Sequence, residues 1–236
     1  MFKASFMTLT IRFTLALIFG FAVAAQADPA PAPATAPVKA KAKPAAPAPT
    51  KPFVPMDPLV AIQKANAYFN AATTMIGDFV QIGPDGKQSE GKIYVQRPGR
   101  LRFEYAQPAT LEIVADGLSV AVHDRKTETK DIYFISQTPL KFLLKDNVDL
   151  NKDVKIVDVT SDPNAVVILV EDKATFGGTS QIKLTFEPAK FTLTQWLVTD
   201  PQGYETLVSL FNVDLSKRPD PNLFQITQER ISNTNN

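Results

Sequence analysis

The stretch from Tyr94 to Tyr105 reads YVQRPGRLRFEY, and its alternation decides the fold. Ile93 and Val95 precede the Pro98-Gly99 pair at a spacing of two, and Leu101, Phe103 and Tyr105 follow it at the same spacing. A period of two puts such residues on one face of a β-strand. The stretch therefore reads as two strands, each apolar on one side. Arg100 and Arg102 fall on the opposite face with Glu104. Arg97 does not, because it continues the series Ile93, Val95, Arg97 and reaches the rim of the apolar face. A guanidinium there costs free energy unless acceptors meet its donors. The alternative is a side chain that bends back to solvent at the strand end. Pro98-Gly99 suits a type II turn, which fits the twist of a tight hairpin poorly, so a link looser than two residues is expected.

Far upstream, Lys3 and Arg12 precede the apolar run Phe13 to Ala25, and Ala25-Gln26-Ala27 forms an A-x-A cleavage site. Residues 1–27 read as a secretory signal peptide whose core is too short for a comfortable membrane span. The 236-residue chain has no cysteine, so neither a disulfide framework nor a lipidated cysteine after the leader is available. A soluble periplasmic product is expected. Residues 28–55 are nearly all Ala, Pro and Lys, with nine prolines, and read as an extended polyproline-II linker. Its Lys39, Lys41, Lys43 and Lys51 would also favour an anionic membrane surface. Residues 56–236 form one domain. Its 19 basic and 23 acidic side chains leave a formal charge near −4, which is no nucleic-acid footprint.

Within that domain Asp57-Pro58 is a helix start, with a side-chain acceptor followed by proline at the first helical position. Leu59, Ile62, Phe69 and Ile76 recur at helical spacing toward a stop near Gly77. Eleven strands are then expected, at 78–83, 89–97, 100–106, 110–116, 118–124, 129–135, 154–160, 165–171, 179–187, 191–199 and 204–213, separated by Gly, Pro, Asp and Asn turns. Thr138-Pro139 repeats the cap-then-proline start ahead of Leu140, Phe142, Leu143 and Leu144. A helix that short cannot hold itself together and must dock on an apolar surface. Ile182, Leu184 and Phe186 alternate with polar residues, and Phe191, Leu193 and Leu197 continue the pattern. Two short helices are too little to cover a sheet this large. A strongly curved, mainly β (α+β) half-barrel with the helices as a lid satisfies the count. If its concave side is filled, it is ordinary core; if incompletely filled, it is an apolar pocket. Both remain open.

Catalytic chemistry has little to stand on. His123 is the only histidine, so a His/Cys metal cluster is excluded, and nothing around it resembles a nucleophile elbow. The glycines are turn glycines, too sparse for a phosphate loop. No enzyme, metal or cofactor is expected.

The motifs GDFVQ (77–81), GKIYVQRPGRLRFEY (91–105), IVADG (113–117), TPLKFLL (138–144) and WLVTDPQGYETLVSL (196–210) together resemble the periplasmic outer-membrane lipoprotein carrier family, LolA, over roughly 57–224. The sister acceptor family, LolB, is anchored by a lipidated cysteine that this chain lacks. The Pro-rich segment at 28–55 departs from the family's usual short start. The resemblance implies an incomplete, unclosed antiparallel β-barrel with a helical lid over an apolar cavity. It implies that acylated lipoproteins are received from an inner-membrane ABC-type exporter, carried across the periplasm, and passed to an outer-membrane acceptor where one exists. Arg97 matches the family arginine whose hydrogen bonds to the lid hold the cavity shut. The expected cavity wall is Phe79, Ile93, Val95, Leu101, Phe103, Leu140, Leu143, Leu144, Ile182, Leu184 and Phe186. A monomer is expected. A lipid- or lipoprotein-sensing regulator and a small-lipid shuttle are the alternatives on the same fold, and the former usually carries a second domain, which this chain lacks.

Overall fold

The computed structural model describes residues 53–226, apart from Leu140, Phe176 and the side chain of Ala174. The expected signal peptide (1–27), the expected linker up to residue 52, and Leu140 lie outside the described residues.

Helix α1 (Pro58–Ala71) starts where the cap predicts: the Asp57 carboxylate accepts from the Leu59 and Val60 amides at 2.8 and 3.2 Å. Eleven strands follow: β1 (Thr74–Ile82), β2 (Gln88–Gln96), β3 (Arg100–Tyr105), β4 (Leu111–Asp116), β5 (Ser119–Asp124), β6 (Thr129–Phe134), β7 (Lys155–Ser161), β8 (Val166–Thr175), β9 (Gly178–Glu187), β10 (Thr192–Thr199) and β11 (Glu205–Asp214). They form one antiparallel sheet in the order β6-β5-β4-β3-β2-β1-β11-β10-β9-β8-β7. The edge strands β6 and β7 are not paired with each other, so the sheet is unclosed.

Its curvature follows from ring contacts. Phe103 on β3 and Trp196 on β10 are four strand positions apart, which would be about 19 Å in a flat sheet. Their ring centroids lie 6.4 Å apart, so the sheet bends and its two halves face each other. The topology also dictates a cover. β6 and β7 are consecutive in the chain yet sit at opposite edges, so residues 135–154 must pass from one edge to the other.

Two helical expectations need correction. The first helix ends at Ala71 rather than near Gly77, and Ile76 lies in β1. The β-branched pair Thr73-Thr74 favours extended backbone, and Met75 and Ile76 pair with Val95 and Tyr94. The heptad from Phe69 to Ile76 fits a helix by coincidence. The expected helix after Thr138-Pro139 is instead a 3₁₀ turn at Lys141–Leu144, with short α2 (Leu150–Asp153) beyond it. The Thr138 amide and hydroxyl both donate back to Ile135 O, at 3.0 and 2.8 Å, closing the preceding turn rather than opening a new helix. The β2–β3 link is three residues, Arg97 to Gly99, looser than two as its turn chemistry requires.

Candidate functional site

The inner face of the sheet, the end of α1 and the Lys141–Leu144 turn meet around a small apolar cavity of about 50 Å³. Met75 (β1), Ile93 and Val95 (β2), and Leu101 and Phe103 (β3) form one wall. Leu193 and Trp196 of β10 form the facing wall. Tyr68, Phe69 and Ala72 close it from α1, and Leu143 and Leu144 from the turn. Arg97 sits among them.

The sequence-based wall divides into three groups. Ile93, Val95, Leu101, Phe103, Leu143 and Leu144 line the cavity with Arg97. Phe79, Ile182, Leu184 and Phe186 are fully buried but lie in solid core, off the cavity wall. Leu140 is outside the described residues. Phe79 is wedged between Phe103 and Tyr105, at centroid distances of 4.9 and 5.1 Å. It faces Gly91 across the β1–β2 pair, where a Cβ would come within 2.0 Å of Glu104 O. Phe186 stacks on Phe191 at 4.8 Å and meets the Phe69 ring edge-on at 5.8 Å. Most of the concavity is therefore packed core, and only the part under the turn is hollow.

Sequence reading missed Tyr68, Phe69, Ala72, Met75, Leu193 and Trp196 as lining residues. Met75 was hidden by extending the helix too far. Trp196 was hidden by an irregularity in the β9–β10 register between Leu193 and Gln195. A bulge changes side-chain parity, so Trp196 rather than Leu197 shares the inner face with Leu193. A run apolar on both faces, as in Trp196-Leu197-Val198, offers no alternation by which to notice the change.

Arg97 lies just past β2, and its Nη1 donates to Phe69 O in the last turn of α1. That carbonyl needs an outside donor, because the Thr73 amide bonds Ala71 O instead. The last turn of α1 also contains no basic residue of its own, so Arg97 supplies from another element the cation that a helix C-terminus favours. The guanidinium lies 5.8 Å from the centre of the Phe69 ring. Burial depresses its pKa to about 10, although Tyr68 and Asp146 partly offset this. Burial also raises the Tyr68 phenol.

Other contacts fix the cover. The Gly99 amide donates to Leu144 O at 2.8 Å, tying the turn to the residue two beyond Arg97. Lys141 Nζ lies 2.8 Å from the nearly inaccessible carboxylate of Asp172 on β8, and Lys145 pairs with Asp153 on α2. From α1, Asn70 exchanges two hydrogen bonds with the backbone of Val148, at 2.8 and 3.0 Å, and Asn66 accepts from the Leu150 amide. Gly99 is required where it stands: its φ is +73°, and a Cβ would lie 2.7 Å from Gly117 Cα.

A second pocket, of about 290 Å³, lies on the outer face beside Gln225 and Ile226, just past the 3₁₀ turn Pro221–Phe224. Its walls include Arg102, Glu112 and His123, which are engaged with one another: Arg102–Glu112 is 2.7 Å and Glu112–His123 is 3.9 Å. Among the described residues no cluster of three or more His, Cys, Asp or Glu is placed to hold a metal ion.

The chain is 27% identical over 173 residues to an outer-membrane lipoprotein carrier protein of Methylococcus capsulatus, covering 70% of this chain and 82% of that one. Among solved structures, a LolA superfamily protein from Nitrosomonas europaea aligns over 71% of this chain and 97% of its own, at 11% identity and TM-score 0.40. The Pseudomonas aeruginosa MucA/MucB complex aligns at 17% identity and TM-score 0.40; this chain spans 61% of the length of the matched chain there. The family model for the outer membrane lipoprotein carrier protein LolA matches residues 70–227, more than half of the sequence. The chain belongs to the LolA family.

Proposed function

We propose that this protein is a non-catalytic periplasmic carrier. In this reading it takes the acyl chains of lipoproteins released by an inner-membrane ABC-type exporter, shields them from water, and delivers them to an acceptor at the outer membrane. The observation that carries the reading is the apolar cavity under a cover held down by non-covalent contacts alone, with Arg97 bonded to Phe69 O of α1 at its rim. A carrier of hydrocarbon needs such a surface and a means of hiding it between loads.

At about 50 Å³ the cavity falls far below the ~300–1,000 Å³ usual for a ligand pocket. Acyl chains enter only if the cover moves away from the sheet. Release is favoured by the same geometry. Chain burial is worth ~0.8 kcal/mol per methylene, and non-covalent binding saturates near about −20 kcal/mol, so several fully buried chains would not leave. A cover that re-closes on its own apolar residues offsets part of that gain.

The test is mass spectrometry of what co-purifies with Arg97→Leu from periplasm. Acylated lipoproteins bound in excess over wild type support the carrier. Free lipid alone would point to a small-lipid shuttle, and a co-purifying receptor domain to a sensor. A variant that holds no more lipoprotein than wild type and transfers it normally removes Arg97 from the gate.

A further inference from the structure

Outside the Lys141–Leu144 turn lies a groove of about 520 Å³, tenfold larger than the inner cavity. Its size falls in the ~300–1,000 Å³ range usual for ligand pockets, whereas the inner cavity falls far below it. Leu118, Phe134 and Ile135 form one side, Phe142 and Leu144 the other, and Pro98, Gly99 and Gly117 the floor. Leu118 is 69% exposed and Phe134 57% exposed, unusual for large apolar residues that flank one groove. Leu144 lines both spaces and is the partition between them.

The chemistry of the walls limits what fits. The Ile135 amide already donates to Leu118 O at 3.0 Å, and the Gly99 amide to Leu144 O at 2.8 Å. The ammonium groups of Lys141 and Lys145 are engaged by Asp172 and Asp153. An extended peptide laid here would find the Ile135 and Gly99 amides already taken. A hydrocarbon chain asks for no hydrogen bonds. Resting on the carrier reading above, we propose that this groove is the first docking site for a cargo alkyl chain. The chain lies between Leu118 and Phe134 and then displaces Leu144 to reach the inner cavity.

The chain's single tryptophan supplies the assay, because Trp196 is on the inner cavity wall and not in the groove. A brominated non-ionic alkyl glycoside, kept below its micelle concentration, quenches Trp196 only after entering the cavity. Stopped-flow mixing is expected to show quenching roughly tenfold slower in Leu118→Asp and in Phe134→Asp, the effect on a rate of about 1.4 kcal/mol, with the final amplitude unchanged. Ile132→Asp, an equally exposed apolar site on β6 outside the groove, should match wild type. Equal rates in wild type and both groove variants would overturn the docking site and leave the carrier intact. A wild-type dimer that Leu118→Asp makes monomeric, at unchanged quenching rate, would overturn it in favour of a second copy of the chain. No quenching of wild type at any probe concentration would overturn the carrier reading, and the docking site with it.

Discussion

Arg97→Leu should change the stability of the fold very little, and the local opening of the end of α1 equally little. A hydrogen bond from a charged donor is worth ~1.5–3 kcal/mol, and a cation at a helix C-terminus adds ~0.3–1 kcal/mol. Against this stands the burial that depresses the guanidinium pKa to about 10, a depression equivalent to about 3 kcal/mol. The opposing contributions nearly cancel, so urea denaturation of Arg97→Leu should fall within about 1 kcal/mol of wild type. Because burial lowers the pKa of a base, its cost stands in full below about pH 10 and is relieved only above it. The comparison should therefore hold at any pH from mildly acidic to mildly basic. Local opening loses the same bond to Phe69 O and recovers the same solvation, so the near-balance applies there too. Hydrogen exchange read residue by residue should therefore change by less than roughly fivefold, the equivalent of about 1 kcal/mol, for the Ala72 and Gly99 amides, which bond Tyr68 O and Leu144 O. Amides of β9 should be unchanged. A global loss above about 3 kcal/mol, or exchange at Ala72 and Gly99 faster by more than about tenfold, would refute the near-balance.

Gly99→Ala should be worse for the fold than Arg97→Leu. It places a side chain at φ +73° and within 2.7 Å of Gly117 backbone, so a loss of ~1–3 kcal/mol by urea denaturation is expected, with faster exchange at residue 99. Leu184→Ala, in solid core away from the cavity, should cost ~2–5 kcal/mol and lower Tm without altering the rate at which an alkyl probe quenches Trp196. Lys141→Met removes the ion pair from an Asp172 side chain only 4% exposed. It should cost ~3 kcal/mol, with most of this restored by adding Asp172→Leu; equal stabilities of the single and double variants would contradict it.

The sheet was readable because its signal is local. Alternation at Ile93 to Val95 and Leu101 to Tyr105 is enforced by one buried and one solvated face, and eleven strands are present as expected, although β1 begins at Thr74 rather than at Asp78. Arg97's place at the rim followed from the same parity. What failed was set by partners distant in sequence. The helix end at Ala71 depends on β1 pairing with β2, and the inner face of Trp196 depends on a bulge visible only in the β9–β10 register. The division of the concavity into filled core and hollow also escaped the sequence. Phe186 and Leu143 are both apolar residues of buried elements, and only their three-dimensional neighbours make one of them core and the other cavity wall.

That division bears on how a carrier of fatty chains avoids becoming a trap. Phe142, Leu143 and Leu144 are all buried when the cover is down, and each such side chain gains ~1.5–3 kcal/mol from burial. Together they are worth roughly what six to eleven methylenes gain at ~0.8 kcal/mol each. On the proposed carrier reading, the cover competes with cargo for the same apolar surface and offsets part of its gain. Loading exchanges one hydrocarbon for another rather than exposing a bare hollow, and net affinity is set by how far the cargo's chains exceed the cover's own residues. Polar contacts then decide the order of events. The near-balanced Arg97–Phe69 bond can break at little net cost, while the Lys141–Asp172 pair, deeper and better shielded, holds the turn to β8. Opening should accordingly begin at the Arg97–Gly99 side, where Leu144 separates the inner cavity from the outer groove, and hinge about the Lys141 end.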